Sequence, residues 1–209
     1  MALQVLDDEG AGLDTSISAG IQYAADNGAD IINMSLGGFG STDILEEAVR
    51  YAQSKGVLVI AASGNNGVSI ARNPFYPVCY DGVLGVASTG QNNASSSFSN
   101  YGSECVDVSA PGDTILSTLY SNDAKHNFID DYGVLSGTSM AAPVVSGIAA
   151  LLAAEDPALS RQSIAEVIMF NATDVKLSSA YGVGRVDAAQ ALQRTQVSGT
   201  PPAPARIRA

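Results

Sequence analysis

The chain has 209 residues, 46% of them hydrophobic and only 15% charged, which suits one folded domain with a substantial core and excludes intrinsic disorder. A formal net charge of −11 excludes the basic surface a nucleic-acid partner needs, so no nucleic acid is expected as a ligand. No apolar run of spanning length free of small or polar interruptions stands out, so no membrane partner is expected. The two cysteines, Cys79 and Cys105, allow one disulfide and form no C-x-x-C metal spacing.

The opening "MALQVLDDEG" has neither the basic nor the apolar region of a signal peptide. It reads as a buried strand over residues 2–6 leaving a turn at 7–10, and a domain that starts in mid-strand implies sequence upstream. A helix is predicted over 15–27, with Ile17, Ile21 and Ala24 on one face and Gly28 as its stop. "ADIINMS" (29–35) is a strand. Ser41 is expected to cap a helix over 42–55, whose stripe is Ile44, Leu45, Ala48, Val49 and Ala52. "VLVIAAS" (57–63) is a strand apolar enough to be covered on both faces. Residues 64–81 read as loop, and "GVLGVAS" (82–88), "CVDVSAPG" (105–112) and "TILST" (114–118) as further strands.

Next comes "LSGTSMAAPVVSGIAALLAA" (135–154), which carries no charge at all. It predicts a helix from about 138 to 154, buried all round, with Pro143 near its start, where a missing N–H removes little. Ser139 stands at its N-terminal end, among unpaired N–H groups and positive dipole potential. Ser160 caps a helix reaching Phe170, "GRVDAAQAL" opens a last one, and residues 195–209 have the composition of a flexible tail or linker. Strands alternating with helices give an α/β fold: a three-layer domain with a mostly parallel sheet and helices on both faces.

Taken alone, Thr138 or Ser139 is an ordinary N-cap. Two further segments, "NMSLGG" (33–38) and "ASGNNG" (62–67), also follow directly after buried strands. In an open α/β sheet such positions gather at the carboxyl ends of the strands, where ligands bind. With these residues in view, the chain resembles the subtilisin-like serine peptidases, the subtilase family, over residues 2–192. "GTSMAAP" carries the resemblance most specifically, and "SLGG", "GNNG" and the C-terminal "YGVGRVDAAQAL" agree with it. The α/β-hydrolase motif G-x-S-x-G does not fit, because Ala141 stands where its second glycine belongs. The late "GVG" is no dinucleotide fingerprint, since no third glycine follows.

The resemblance implies a partial peptidase domain over residues 1–194, lacking its N-terminal portion. It makes Ser139 the nucleophile and Asn65 the side-chain donor of an oxyanion hole, with Asn66 a competitor by proximity alone. Ser35, Leu36 and Gly37 become a substrate-binding strand, and Ala62, Ser63 and Gly64 the facing wall of the pocket for the P1 side chain. Small residues on both walls leave room for a sizeable P1 group, while Phe75, in "NPFYP", would narrow the base. An extended peptide or protein is the implied partner. The resemblance also implies a Cys79–Cys105 disulfide and an extracellular or periplasmic parent protein. It requires no cofactor. It admits a structural calcium ion, for which Asp107 alone is too small a ligand set, so no metal residue is assigned.

The family's Asp and His lie upstream of its "SLGG" segment, and here no histidine precedes that segment. Asp7, Asp8 and Asp14 lie in the wrong segment to replace the catalytic Asp. The single histidine, His126, reads as an exposed loop residue. A serine without a base is a weak nucleophile, so this chain alone is expected to be nearly inert. Three readings follow: a truncated endopeptidase, a non-catalytic peptide-binding module, or half of a split enzyme whose partner is the missing N-terminal segment.

Overall fold

A computed structural model describes residues 1–119 and 132–195. Helix α1 (Asp14–Asp26) is followed by strand β1 (Ile31–Met34), the short strand β2 (Gly38–Phe39) and helix α2 (Asp43–Ser54). Then come β3 (Leu58–Ala62), β4 (Phe75–Tyr76), β5 (Leu84–Thr89), β6 (Val108–Pro111), β7 (Ile115–Thr118) and β8 (Tyr132–Leu135). The helices α3 (Thr138–Glu155), α4 (Arg161–Phe170) and α5 (Ala188–Thr195) complete the order. The main sheet runs β1-β3-β5-β6 with every pair parallel, while β2–β4 and β7–β8 are separate antiparallel pairs.

β3 shows why the fold has three layers. Its five residues are all buried, and alternation sends Val59 and Ala61 to one face, Leu58, Ile60 and Ala62 to the other. Val59 and Ala61 join Ile17 and Ile21 of α1 and Leu45, Ala48 and Val49 of α2. Ile60 and Ala62 join Val145 and Leu152 of α3 and Ile164 and Ile168 of α4. Truncating a side chain at this centre, such as fully buried Ile60 to alanine, costs about 2–5 kcal/mol.

Four local readings are corrected. Residues 2–6 are no strand and join no ladder: Val5 and Leu6 pack as side chains on the α1 side of the core instead. Ser41 does not cap α2. Thr42 takes the N-cap position, and the Ser41 hydroxyl lies 3.0 Å from Tyr80 Oη. Ile44 is 43% exposed while the rest of its stripe is buried. Lastly, α3 is not buried all round: Pro143, Val144, Gly147, Ala150 and Leu151 are exposed, although α3 packs on all four sheet strands, α4 and α5. With 18 residues and a mean hydropathy of 1.4, α3 is the one described helix long and apolar enough to cross a membrane by composition. Its partners here are those of a core helix.

The bare face of α3 borders β1. Ser146 Oγ donates to Asn33 Oδ1 at 2.9 Å, and the outer edge of β1 pairs with nothing among the described residues. Leu58 N–H bonds Asp30 O, which sets the phase of the ladder so that Ile31 and Asn33 direct their backbone groups to that outer edge.

Candidate active site

The site forms where β1, β3 and α3 meet at the carboxyl ends of the strands. Gly137 enters α3 in an extended conformation, its N–H bonded to Gly112 O at 2.7 Å. Ser139 lies in the first helical turn, where backbone N–H groups have no intrahelical acceptor. Its hydroxyl donates to Ser35 O at 3.1 Å, and the Ser35 hydroxyl donates back to Ser139 O at 2.8 Å. Pro143 explains the second bond. In a regular helix the N–H of residue 143 would pair with the carbonyl of residue 139. Proline has no N–H to give, and Ser35 takes the acceptor it leaves free. Asn33 Nδ2 in turn donates to Ser35 Oγ at 3.0 Å.

Asn65 follows β3 in a loop that Gly64 turns with φ +97°. Asn65 Oδ1 accepts from Thr138 N–H at 2.8 Å and from Thr138 Oγ1 at 2.9 Å. The same Thr138 hydroxyl accepts from Gly64 N–H at 3.1 Å. With two donors on its oxygen, the carboxamide has one orientation, and Nδ2 is the group left to donate. That nitrogen lies 3.3 Å from where a Cβ at Gly137 would stand. Asn66 instead gives its backbone N–H to Asn100 Oδ1 and lies 3.5 Å from Asn100 Nδ2 through its own side-chain oxygen.

Ser139, Asn65, Ser35, Leu36 and Gly37 line one cleft of about 610 Å³, together with Ala62, Gly64 and Phe75. Ser63 does not reach it. Ser63 is fully buried, and its hydroxyl bonds Asn100 O at 3.1 Å, because neighbouring residues of an extended chain face opposite sides. Gly10, Ala11 and Gly12 also line it; the sequence marks Gly10 only as the end of a turn and gives Ala11 and Gly12 no role. Asn100 was missed as well. It is fully buried and binds Asn66 N–H, Val68 N–H and Ser63 O, so it braces the Asn65 loop. No local pattern marks a residue whose partners lie more than thirty positions away.

Cys79 and Cys105 are joined as a disulfide, with a Cα–Cα distance of 4.6 Å. They border a second cavity, of about 410 Å³, with Asp107 and Arg161. Asp107 Oδ2 accepts from Gly85 N–H at 2.7 Å, and no group of three or more His, Cys, Asp or Glu among the described residues is placed to hold a metal ion. A lone carboxylate with an oxygen so engaged does not fit calcium, which takes six to eight oxygens. His126 lies outside the described residues.

A parallel sheet between helical layers, with a serine and an oriented carboxamide lining one cleft at its carboxyl end, defines a three-layer α/β protein. The chain belongs to the Subtilase family, whose model matches residues 1–184. It is 44% identical over 194 residues to thermitase of Thermoactinomyces vulgaris, covering 92% of this chain and 64% of that protein. Subtilisin DY of Bacillus licheniformis is 39% identical over 193 residues, covering 92% of this chain and 67% of its own. Among solved structures, a protease from Pseudoalteromonas arctica matches with a TM-score of 0.80 at 36% identity, over 88% of this chain and 59% of that one. A cold adapted subtilisin-like serine proteinase matches at 0.75 and 34% identity, over 86% and 62%. The chain thus spans 59% to 67% of these four relatives.

Proposed function

We propose that this chain is the nucleophile-bearing part of a serine endopeptidase, completed by an Asp and a His on a segment outside it. The observation that carries the reading is the placement of the Ser139 hydroxyl and the oriented Asn65 carboxamide in one cleft. An extended peptide pairs with Ser35, Leu36 and Gly37 as an added strand and presents its carbonyl to Ser139. Ser139 Oγ attacks the carbonyl carbon as its proton passes to the supplied imidazole. The developing oxyanion accepts from Asn65 Nδ2 and Ser139 N–H. The imidazolium then protonates the leaving amine, and water hydrolyses the acyl-enzyme by the same route in reverse order.

In this chain as it stands, Ser139 Oγ bonds a carbonyl, which cannot take its proton. Its turnover is accordingly near zero, and the cleft acts as a peptide-binding groove. The bare face of α3 and the open edge of β1 support a completing segment that packs there, beside the nucleophile. The disulfide supports an extracellular or periplasmic setting. No cofactor is required.

The test extends the chain at its N-terminus with the leading third of thermitase and treats it with a fluorophosphonate probe. Labelling that disappears in Ser139→Ala is the expected result, with slow or no labelling of the unextended chain. Labelling that survives Ser139→Ala overturns the nucleophile assignment. A folded, extended chain that stays unlabelled favours the peptide-binding module.

A further inference from the structure

Resting on the peptidase reading of the cleft, we infer that Phe75 closes the pocket between its two walls, restricting the site to peptides with a small P1 residue: glycine, alanine or serine. The walls are backbone rather than side chain where they face each other, at Gly37 and Gly64. A Cβ built at Gly37 would overlap Phe75 Cε1 and lie 2.6 Å from Tyr76 O. A Cβ built at Gly64 would lie 3.0 Å from Phe75 Cε1 and 3.1 Å from its Cζ. One edge of one ring therefore touches both walls, in the space that small wall residues would otherwise leave open to a P1 side chain.

The ring is also held there. Phe75 is 8% exposed and belongs to the core on the α1 side of the sheet. Phe39 meets it edge to face, with centroids 5.1 Å apart and planes at 81°. The backbones of these two residues face each other in the β2–β4 ladder. A phenylalanine or leucine at P1 would have to displace Phe75 from these contacts. A methyl or hydroxymethyl group would not. Gly64 is held in place as well: its N–H donates to Thr138 Oγ1 at 3.1 Å and its carbonyl accepts from Asn100 N–H at 2.9 Å.

The test measures calorimetric binding of two peptides with free C-terminal carboxylates, acetyl-Ala-Ala-Pro-Ala and acetyl-Ala-Ala-Pro-Phe, to the chain as given, which binds without cleaving. The native chain is expected to prefer the alanine peptide by about tenfold or more, and Phe75→Ala to reverse the order by admitting the aromatic group. Phe75→Leu, which keeps more of the core volume, moves the ratio the same way by less and replaces the alanine variant should that fail to fold. Equal affinities, a native preference for the phenylalanine peptide, or a preference that Phe75→Ala and Phe75→Leu leave unchanged overturns the inference and leaves the peptidase reading standing. Failure of the folded chain to bind either peptide overturns both.

Discussion

Asn65 and Thr138 are 73 positions apart in sequence, yet the side-chain oxygen of the first sits between the N–H and the hydroxyl of the second, at 2.8 and 2.9 Å. The contact ties the loop after β3 to the start of α3. The Thr138 hydroxyl carries the joint, because it donates to Asn65 while accepting from the buried Gly64 N–H. Thr138→Val keeps the shape and removes both bonds. The expected loss is about 1–3 kcal/mol, the cost of one orphaned buried amide, and Thr138→Ser should recover most of it. The urea midpoint reads the change, and a valine variant as stable as its parent would contradict the joint.

Asn100→Ala removes the brace beneath the same loop. Two backbone N–H groups and one carbonyl lose their partner at a fully buried position. Ser63 is buried, whereas Asn66 and Val68 are exposed and their N–H groups can turn to water, so a loss of about 1–3 kcal/mol is expected. Thermal unfolding checks it; a drop below about 1 kcal/mol would show that the loop holds itself.

The Cys79–Cys105 bridge closes a loop with a sequence separation of 26. Replacing both cysteines by serine is expected to lower stability by about 2–4 kcal/mol. Thiol titration of the unfolded protein should find two more thiols with reductant than without, and equal counts would remove the bridge from the account.

Asp187 precedes α5 and accepts from Gln190 N–H at 3.0 Å, with Thr173 Oγ1 and Gln190 Nε2 on its other oxygen. The Gln190 backbone bond is the largest influence holding this carboxyl below its usual 3.8, against a smaller opposing effect of burial. A depressed carboxyl stabilises the fold above its unfolded value and loses that contribution as pH falls through the folded one. The stability gap between the native chain and Asp187→Ala is therefore expected to be full near pH 7 and to narrow below about pH 4. A gap that is constant across denaturation curves from pH 7 to pH 2 would rule this out.

What could be read from the sequence followed the range of its patterns. β3 and α3 announced themselves through unbroken apolar runs, and the capping serine of α4 through its place before a periodic stripe; Ser160 Oγ does accept from Ser163 N–H, at 3.0 Å. The cleft lining was legible where glycine and serine follow a strand directly, as at Ser35 to Gly37, and where a motif carried the family resemblance, as at Asn65 and Ser139. The braces were not. Thr138, Asn100 and the Pro143–Ser35 compensation work through contacts spanning 32 to 104 positions, which no local periodicity records. Residues 2–6 have the composition of a strand, but composition does not say whether a segment joins a ladder.

Two donors gripping one substrate oxygen is the claim on which the proteolytic account turns, and kcat reports on it most directly. In the chain completed with the thermitase segment, Asn65→Ala is expected to lower kcat by about 10²–10³-fold while KM barely moves, the size of loss known for the side-chain oxyanion donor of a subtilisin. An Asn65→Ala enzyme that turns over at the parental rate would contradict the account.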